Sequence, residues 1–183
     1  MKTSAMIRII LYAFIALLLT GVLLWGIGGN HNMNFFSFNL FGNSGLNYND
    51  SDYTIGGGEV DKNDVDSIQV DWLAGNVTVV PYEESNTNSD VVTFSEESNT
   101  QLDEDYEMRY KVEDGVLKIM FAKSNVKFIG IFKSLNKDLT IQLPADMTLS
   151  DVTIDTVSAN INIENIKAGN QIDLETVSGN IEG

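Results

Sequence analysis

The chain has 183 residues, of which 26 are acidic and 11 basic, and carries a net charge of −15 at neutral pH with no cysteine. Such a surface repels nucleic-acid backbones, anionic wall polymers and anionic lipid head groups unless cations intervene, so nucleic acid is excluded as a partner. The missing cysteines exclude disulfides, thiolate metal sites and a lipid-modified cysteine anchor.

Ile9 to Ile27 runs nineteen residues without a charge. At about 1.5 Å per residue that is enough to cross a hydrocarbon core of about 30 Å. Lys2 and Arg8 precede this run, whereas the residues after Ile27 are charge-poor and then acidic. The positive-inside rule therefore predicts a single-pass anchor with residues 1–8 cytoplasmic, 9–27 in the membrane and the remainder extracytoplasmic. A cleaved signal peptide is the alternative, although the run exceeds the usual apolar length of about 7–15 residues and no clean small-residue cleavage site follows it. Without Lys2 and Arg8 the exported part has nine basic and twenty-six acidic residues, a net charge of −17.

Residues 28–58 read as a flexible tether, rich in Asn, Gly and Ser and ending in Gly56-Gly57-Gly58. Phe35, Phe36, Phe38 and Phe41 interrupt it, and fit either an interfacial aromatic belt or a first strand packed on the domain. His31, the only histidine, lies here, so the folded region has no histidine for a triad, a metal cage or general-base chemistry.

The β-domain is expected over 59–183. Asp61-Lys62-Asn63-Asp64-Val65-Asp66 opens like a calcium loop but has Val fifth, Asp sixth and no suitably spaced Glu, so it reads as a solvated turn. Ile68 and Val70 alternate, then Leu73-Ala74-Gly75-Asn76-Val77 forms a corner that echoes a clearer motif downstream, out of exact register with it. Trp72, the only tryptophan of this region, reads as a core side chain beside that corner, with sugar stacking as the alternative. Tyr106–Val112 and Val116–Phe121 flank Glu113-Asp114-Gly115, an Asp-Gly turn that predicts a hairpin. A further strand, Lys137–Pro144, is stopped by its proline.

Between these strands lies the one concentration of positive charge. Lys123, Lys127, Lys133 and Lys137 bracket Phe128, Ile129, Ile131 and Phe132, an apolar tip suited to contact with a bilayer or partner. The plainer reading is a hairpin whose aromatics pack inward while its lysines blunt an edge. The acidic runs Glu83-Glu84, Glu96-Glu97 and Asp103-Glu104-Asp105 could supply the two carboxyls that sugar cleavage needs, but sit in polar, turn-like surroundings.

The clearest signal comes last. Asp155-Thr156-Val157-Ser158-Ala159-Asn160-Ile161 recurs as Glu175-Thr176-Val177-Ser178-Gly179-Asn180-Ile181, and each copy follows an alternating strand. Stacked at about 4.8 Å, the copies would set Val157 over Val177, Asn160 over Asn180 and Ile161 over Ile181, with Asp155 and Glu175 forming a hydrated or cation-binding ladder. The predicted fold class is all-β, a β-solenoid with hairpin insertions behind one transmembrane helix. Ile172 and Leu174 then lie at an open C-terminal end, so that either the sequence is a truncated form of a longer repeat protein or this end is a surface for self-association.

The single span, the Leu143-Pro144 strand end and the tandem Thr-Val-Ser-Gly/Ala-Asn-Ile repeats resemble the bacterial putative-adhesin family of β-strand repeats over residues 60–183. The resemblance implies a solenoid-like envelope protein without an assigned activity. Two functions are carried forward. The first is a membrane-anchored protein acting by contact with envelope proteins or surface polymers, in adhesion, scaffolding or envelope-stress sensing. The second is a carbohydrate-active β-helix enzyme using paired carboxylates. No catalytic, cofactor-binding or metal-binding residue is assigned.

Overall fold

Alternating Ile, Val and Leu side chains favour strands that bury one face, and the chain is built almost wholly from such strands. A computed structural model describes residues 46–82, 90–126 and 135–183. Among these residues there are ten strands and no α-helix: β1 (Thr54–Ile55), β2 (Gly58–Asp61), β3 (Ser67–Pro81), β4 (Val91–Ser98), β5 (Arg109–Glu113), β6 (Val116–Met120), β7 (Lys137–Leu143), β8 (Leu149–Ile163), β9 (Ala168–Thr176) and β10 (Ile181–Glu182). The predicted span at 9–27 and the first part of the tether lie outside the described residues.

The strands form one curled, half-barrel sheet organised on β3. Along one edge β3 pairs in parallel with β8, from Ser67↔Asp151 to Val79↔Ile163. Its other edge is shared, because β6 pairs with the first half and β7 with the second, both parallel. The expected Asp-Gly hairpin is present as antiparallel β5–β6, with Asp114 and Gly115 at φ of 52° and 76°. β1 adds to β5, β4 to β7 and β2 to β4, all antiparallel. Beyond β8 the sheet continues with β9 along its first half and β10 along its second.

The twenty-residue repeat is therefore a parallel stack in the expected register, with Val152↔Ile172 and Ile161↔Ile181. The Asn180 amide donates to Asn160 Oδ1 at 3.0 Å, and Asn160 Nδ2 to Asn76 Oδ1 at 2.9 Å. The upstream echo is in exact register with β8, contrary to expectation: Gly75 lies opposite Ala159 and Asn76 opposite Asn160. A uniform twenty-residue spacing hides this, because the intervening hairpin and β7 lengthen the separation to 84 residues. The larger plan is thus not a run of like coils, since antiparallel strands flank the parallel stack on its other side.

The inward parity of β3, β6, β7 and β8 supplies the core: Ile68, Val70, Trp72, Leu117, Ile119, Leu139, Ile141, Val152 and Ile154 are at most 1 % exposed. Trp72 packs edge-to-face on Phe121 with ring centroids 5.0 Å apart. Burial of each such side chain contributes about 1.5–3 kcal/mol. The last part of the expected tether packs on the sheet. Leu46 is buried, its carbonyl accepts from the Asn125 amide at 2.7 Å, and Tyr48 donates its hydroxyl to the Ala122 carbonyl at 2.6 Å. Leu46 and Tyr48 bury apolar surface that the Asn/Gly/Ser composition around them concealed.

Candidate functional site

Of the expected basic-flanked contact loop, Lys127, Phe128, Ile129, Ile131, Phe132 and Lys133 lie outside the described residues. Lys123 is half-exposed and ion-paired with Asp105 at 2.9 Å. Lys137 does not belong to a surface patch, because it is fully buried. The reason is strand parity: Lys137 shares the inward face of β7 with Leu139, Ile141 and Leu143. Its ammonium donates to Glu96 Oε2 at 2.5 Å, to the Tyr106 carbonyl at 2.7 Å and to the Phe121 carbonyl at 2.5 Å. The rings of Trp72 and Phe121 lie 5.1 and 4.3 Å from the nitrogen, within cation–π range. Glu96 Oε1 accepts from the Met108 amide, and Trp72 Nε1 donates to the Lys137 carbonyl. Burial pulls Lys137 down to about 8, against the opposing charge of Glu96.

That arrangement also fixes the role of one expected acidic pair, since Glu96 is held by Lys137 while Glu97 lies on the surface. In the run Asp103-Glu104-Asp105, Glu104–Tyr106 is a 3-10 turn whose Glu104 carbonyl accepts from Arg109. Glu83-Glu84 and His31 lie outside the described residues. The calcium-like segment is a capped turn, with Asp61 Oδ1 accepting from the Asn63 amide.

On the outward face, register brings together carboxylates that are far apart in the chain. Asp71 lies opposite Asp155, and Asp155 opposite Glu175. Asp71 is only 5 % exposed and its Oδ1 has no hydrogen-bond partner. Burial, then the neighbouring charge of Asp155, raises Asp71 well above the usual carboxylate range. Asp155 is pushed up to about 6, by burial first and then by Glu175 and Asp173. Among the described residues no three His, Cys, Asp or Glu side chains converge as a ready-made metal cage.

Two concavities adjoin the repeat stack. A polar cleft of about 640 Å³ opens at the corner, lined in part by Asn76, Asn99, Asn136, Asp138 and Asn160. Its side chains restrain one another, because Asn76 Nδ2 donates to Asp138 Oδ1 at 2.7 Å while Asn160 donates to Asn76. The other cavity, about 440 Å³, is apolar and lies at the C-terminal end between Ile163, Ile166, Ile172, Leu174 and Ile181. There β9 and β10 pair only with β8 among the described strands, and Ile172, Ile181 and Val177 are 45 %, 46 % and 82 % exposed.

The open end was legible from the repeat. The Lys137–Glu96 pair, the polar cleft and Asp71 were not, although alignment of Gly75-Asn76 with Ala159-Asn160 would have set Asp71 over Asp155.

No family model and no curated protein matches the chain. Among solved structures, a putative cell adhesion protein from Clostridium sporogenes superposes with a TM-score of 0.42 at 13 % identity over 69 % of this chain. The chain spans 58 % of the length of that protein.

Proposed function

We propose that the protein acts by contact: an extracytoplasmic β-repeat domain, solenoid-like in its parallel stack and held at the membrane by residues 9–27, that docks partner strands in adhesion, envelope scaffolding or stress sensing. The observation that carries this reading is the sheet edge at β9 and β10, which pair only with β8 among the described strands. On β9 and β10, backbone groups and the apolar side chains Ile172 and Ile181 stand where another strand would continue the ladder. Strand addition to such an edge draws affinity from main-chain hydrogen bonds and specificity from alternate side chains. Asp173 and Glu175 lie on the same strand, so a two-fold pairing of β9 with β9 would set like charges against each other. The favoured occupant is an extended envelope-protein segment alternating apolar with basic residues.

A photo-crosslinking side chain placed at Ile172 or Ile181 of the full chain in bacterial cells should give a discrete adduct, and one at Asn63 should not. Equal labelling from all three positions, or none from the edge, would overturn strand docking. An adduct of twice the chain's own mass would assign the edge to self-association. Protease added outside intact protoplasts should digest the β-domain; complete protection would overturn the topology.

A further inference from the structure

At the corner of the stack, register sets exposed side chains from neighbouring strands in one row: Glu97 of β4, Asp138 of β7, Asn76 of β3 and Asn160 of β8. Adjacent strands lie about 4.8 Å apart, so the row is about 14 Å long, enough to face more than one sugar ring. Hydrogen bonds run along it in one direction, from Asn160 Nδ2 to Asn76 Oδ1 at 2.9 Å and from Asn76 Nδ2 to Asp138 Oδ1 at 2.7 Å. Each amide nitrogen carries two hydrogens, so one donor of each remains. The chain ends on Asp138 Oδ1, and no hydrogen bond from the described residues reaches Asp138 Oδ2. Asn136 and Ser158 line the same cleft, and their side chains also bond to none of the described residues. Its volume of about 640 Å³ falls within the usual size of ligand pockets, about 300–1,000 Å³.

We propose that this cleft binds an uncharged oligosaccharide. Among the described residues its lining side chains are carboxylates, amides and hydroxyls, with none that is apolar. Such a set offers donors and acceptors side by side, which suits a sugar, whose every hydroxyl donates one hydrogen bond and accepts others. Asp138 Oδ2 and Glu97 accept from ring hydroxyls, while the remaining amide hydrogens of Asn76, Asn160 and Asn136 donate to ring oxygens. Anionic polymers are disfavoured, because Glu97 and Asp138 are neighbours and no Lys or Arg is among the lining residues. A peptide strand is disfavoured too, since β3 and β7 are paired along both edges here and offer no open ladder. Because the row is already held by its own bonds, binding has few side chains left to immobilise. The cleft shares no lining residue with the apolar cavity at β9 and β10, so this site goes beyond strand docking and does not depend on it.

The test is saturation-transfer NMR on the full-length chain, held in a detergent that has no sugar head group. The probes are linear tetrasaccharides of glucose, mannose, galactose and N-acetylglucosamine, with tetragalacturonate as the anionic control. At least one uncharged probe should bind, and tetragalacturonate should not. Asn136→Ala removes a side chain that bonds to none of the described residues, so it should weaken binding about three- to tenfold, the worth of one net hydrogen bond, without shifting the unfolding temperature. Asp138→Asn keeps an oxygen for Asn76 but loses the charged acceptor, and should weaken binding by about tenfold or more. Ile172→Lys, at the strand edge, should bind the sugar as the parent chain does, so that failure of this site and failure of strand docking are told apart. Silence from every uncharged probe, equal binding of tetragalacturonate, or undiminished binding in both Asn136→Ala and Asp138→Asn would overturn the site.

Discussion

Lys137 and Glu96 form an ion pair inside the sheet, Nζ to Oε2 at 2.5 Å, with the lysine side chain fully buried and the glutamate 10 % exposed. The pair joins β7 to β4, and the ammonium's remaining bonds reach the segment before β5 and the end of β6. Removing one partner of a buried pair strands the other, so Lys137→Met should destabilise the fold by about 3–5 kcal/mol. Lys137→Met combined with Glu96→Gln should lose less than the sum of the single changes, because Gln still accepts from the Met108 amide. Urea unfolding of the four chains measures the coupling.

The same lysine sets a pH dependence. Burial lowers Lys137 from its ordinary 10.5 to about 8, so between these values the unfolded chain binds more protons than the folded one. Its contribution to stability therefore rises with pH across that window. The stability difference between the parent chain and Lys137→Met should widen from neutral pH toward pH 10. A constant difference would show that the lysine stays charged throughout.

Gly75 takes a φ of +110°, and a Cβ there would collide with the Lys137 carbonyl oxygen, which also accepts from Trp72 Nε1. Gly75→Ala should exceed the cost of about 1–3 kcal/mol for a strained backbone alone, because β3 must also move away from β7. Gly169→Ala is the control, since its Cβ would meet nothing closer than the Leu149 carbonyl at 3.7 Å. Calorimetry should show a large loss for the first and almost none for the second.

How far the sequence announces the fold can be judged from two strands. β8 and β9 were legible because alternating apolar residues and a shared corner repeat within twenty positions, close enough for side-chain parity to fix the register. The pairing of β3 with β8 was half-seen, because its spacing does not follow that repeat. Lys137 was misplaced for a different reason: a lysine among lysines reads as surface charge, and only the parity of Leu139, Ile141 and Leu143 reveals that it points inward. A partner such as Glu96, 41 residues away, has no local signature at all.

The contrast between the covered and open coils is measurable. Ile154 is fully buried, so Ile154→Ala should cost about 2–5 kcal/mol. Ile172, one strand further out and 45 % exposed, should accept lysine within about 0.5 kcal/mol while losing any edge-dependent association. Chemical denaturation and sedimentation velocity of the two variants separate packing from docking. If Ile172→Lys unfolds the chain, the edge is structural rather than a contact surface.

The position of β3 at the centre of the sheet governs the order in which the molecule can assemble. Both its edges are filled by segments made later: β6 and β7 on one side, and on the other β8, which follows 84 residues downstream. A chain synthesised from its N-terminus presents an apolar fifteen-residue strand with no neighbour until most of the domain has emerged. Non-local pairing of this kind must meet the entropy of closing long loops before it returns any energy, so folding belongs on the millisecond-to-second scale of high-contact-order β proteins. For that interval β3 depends on chaperoning or on the polar segments around it, and a nascent chain halted before Leu149 is the form most exposed to aggregation.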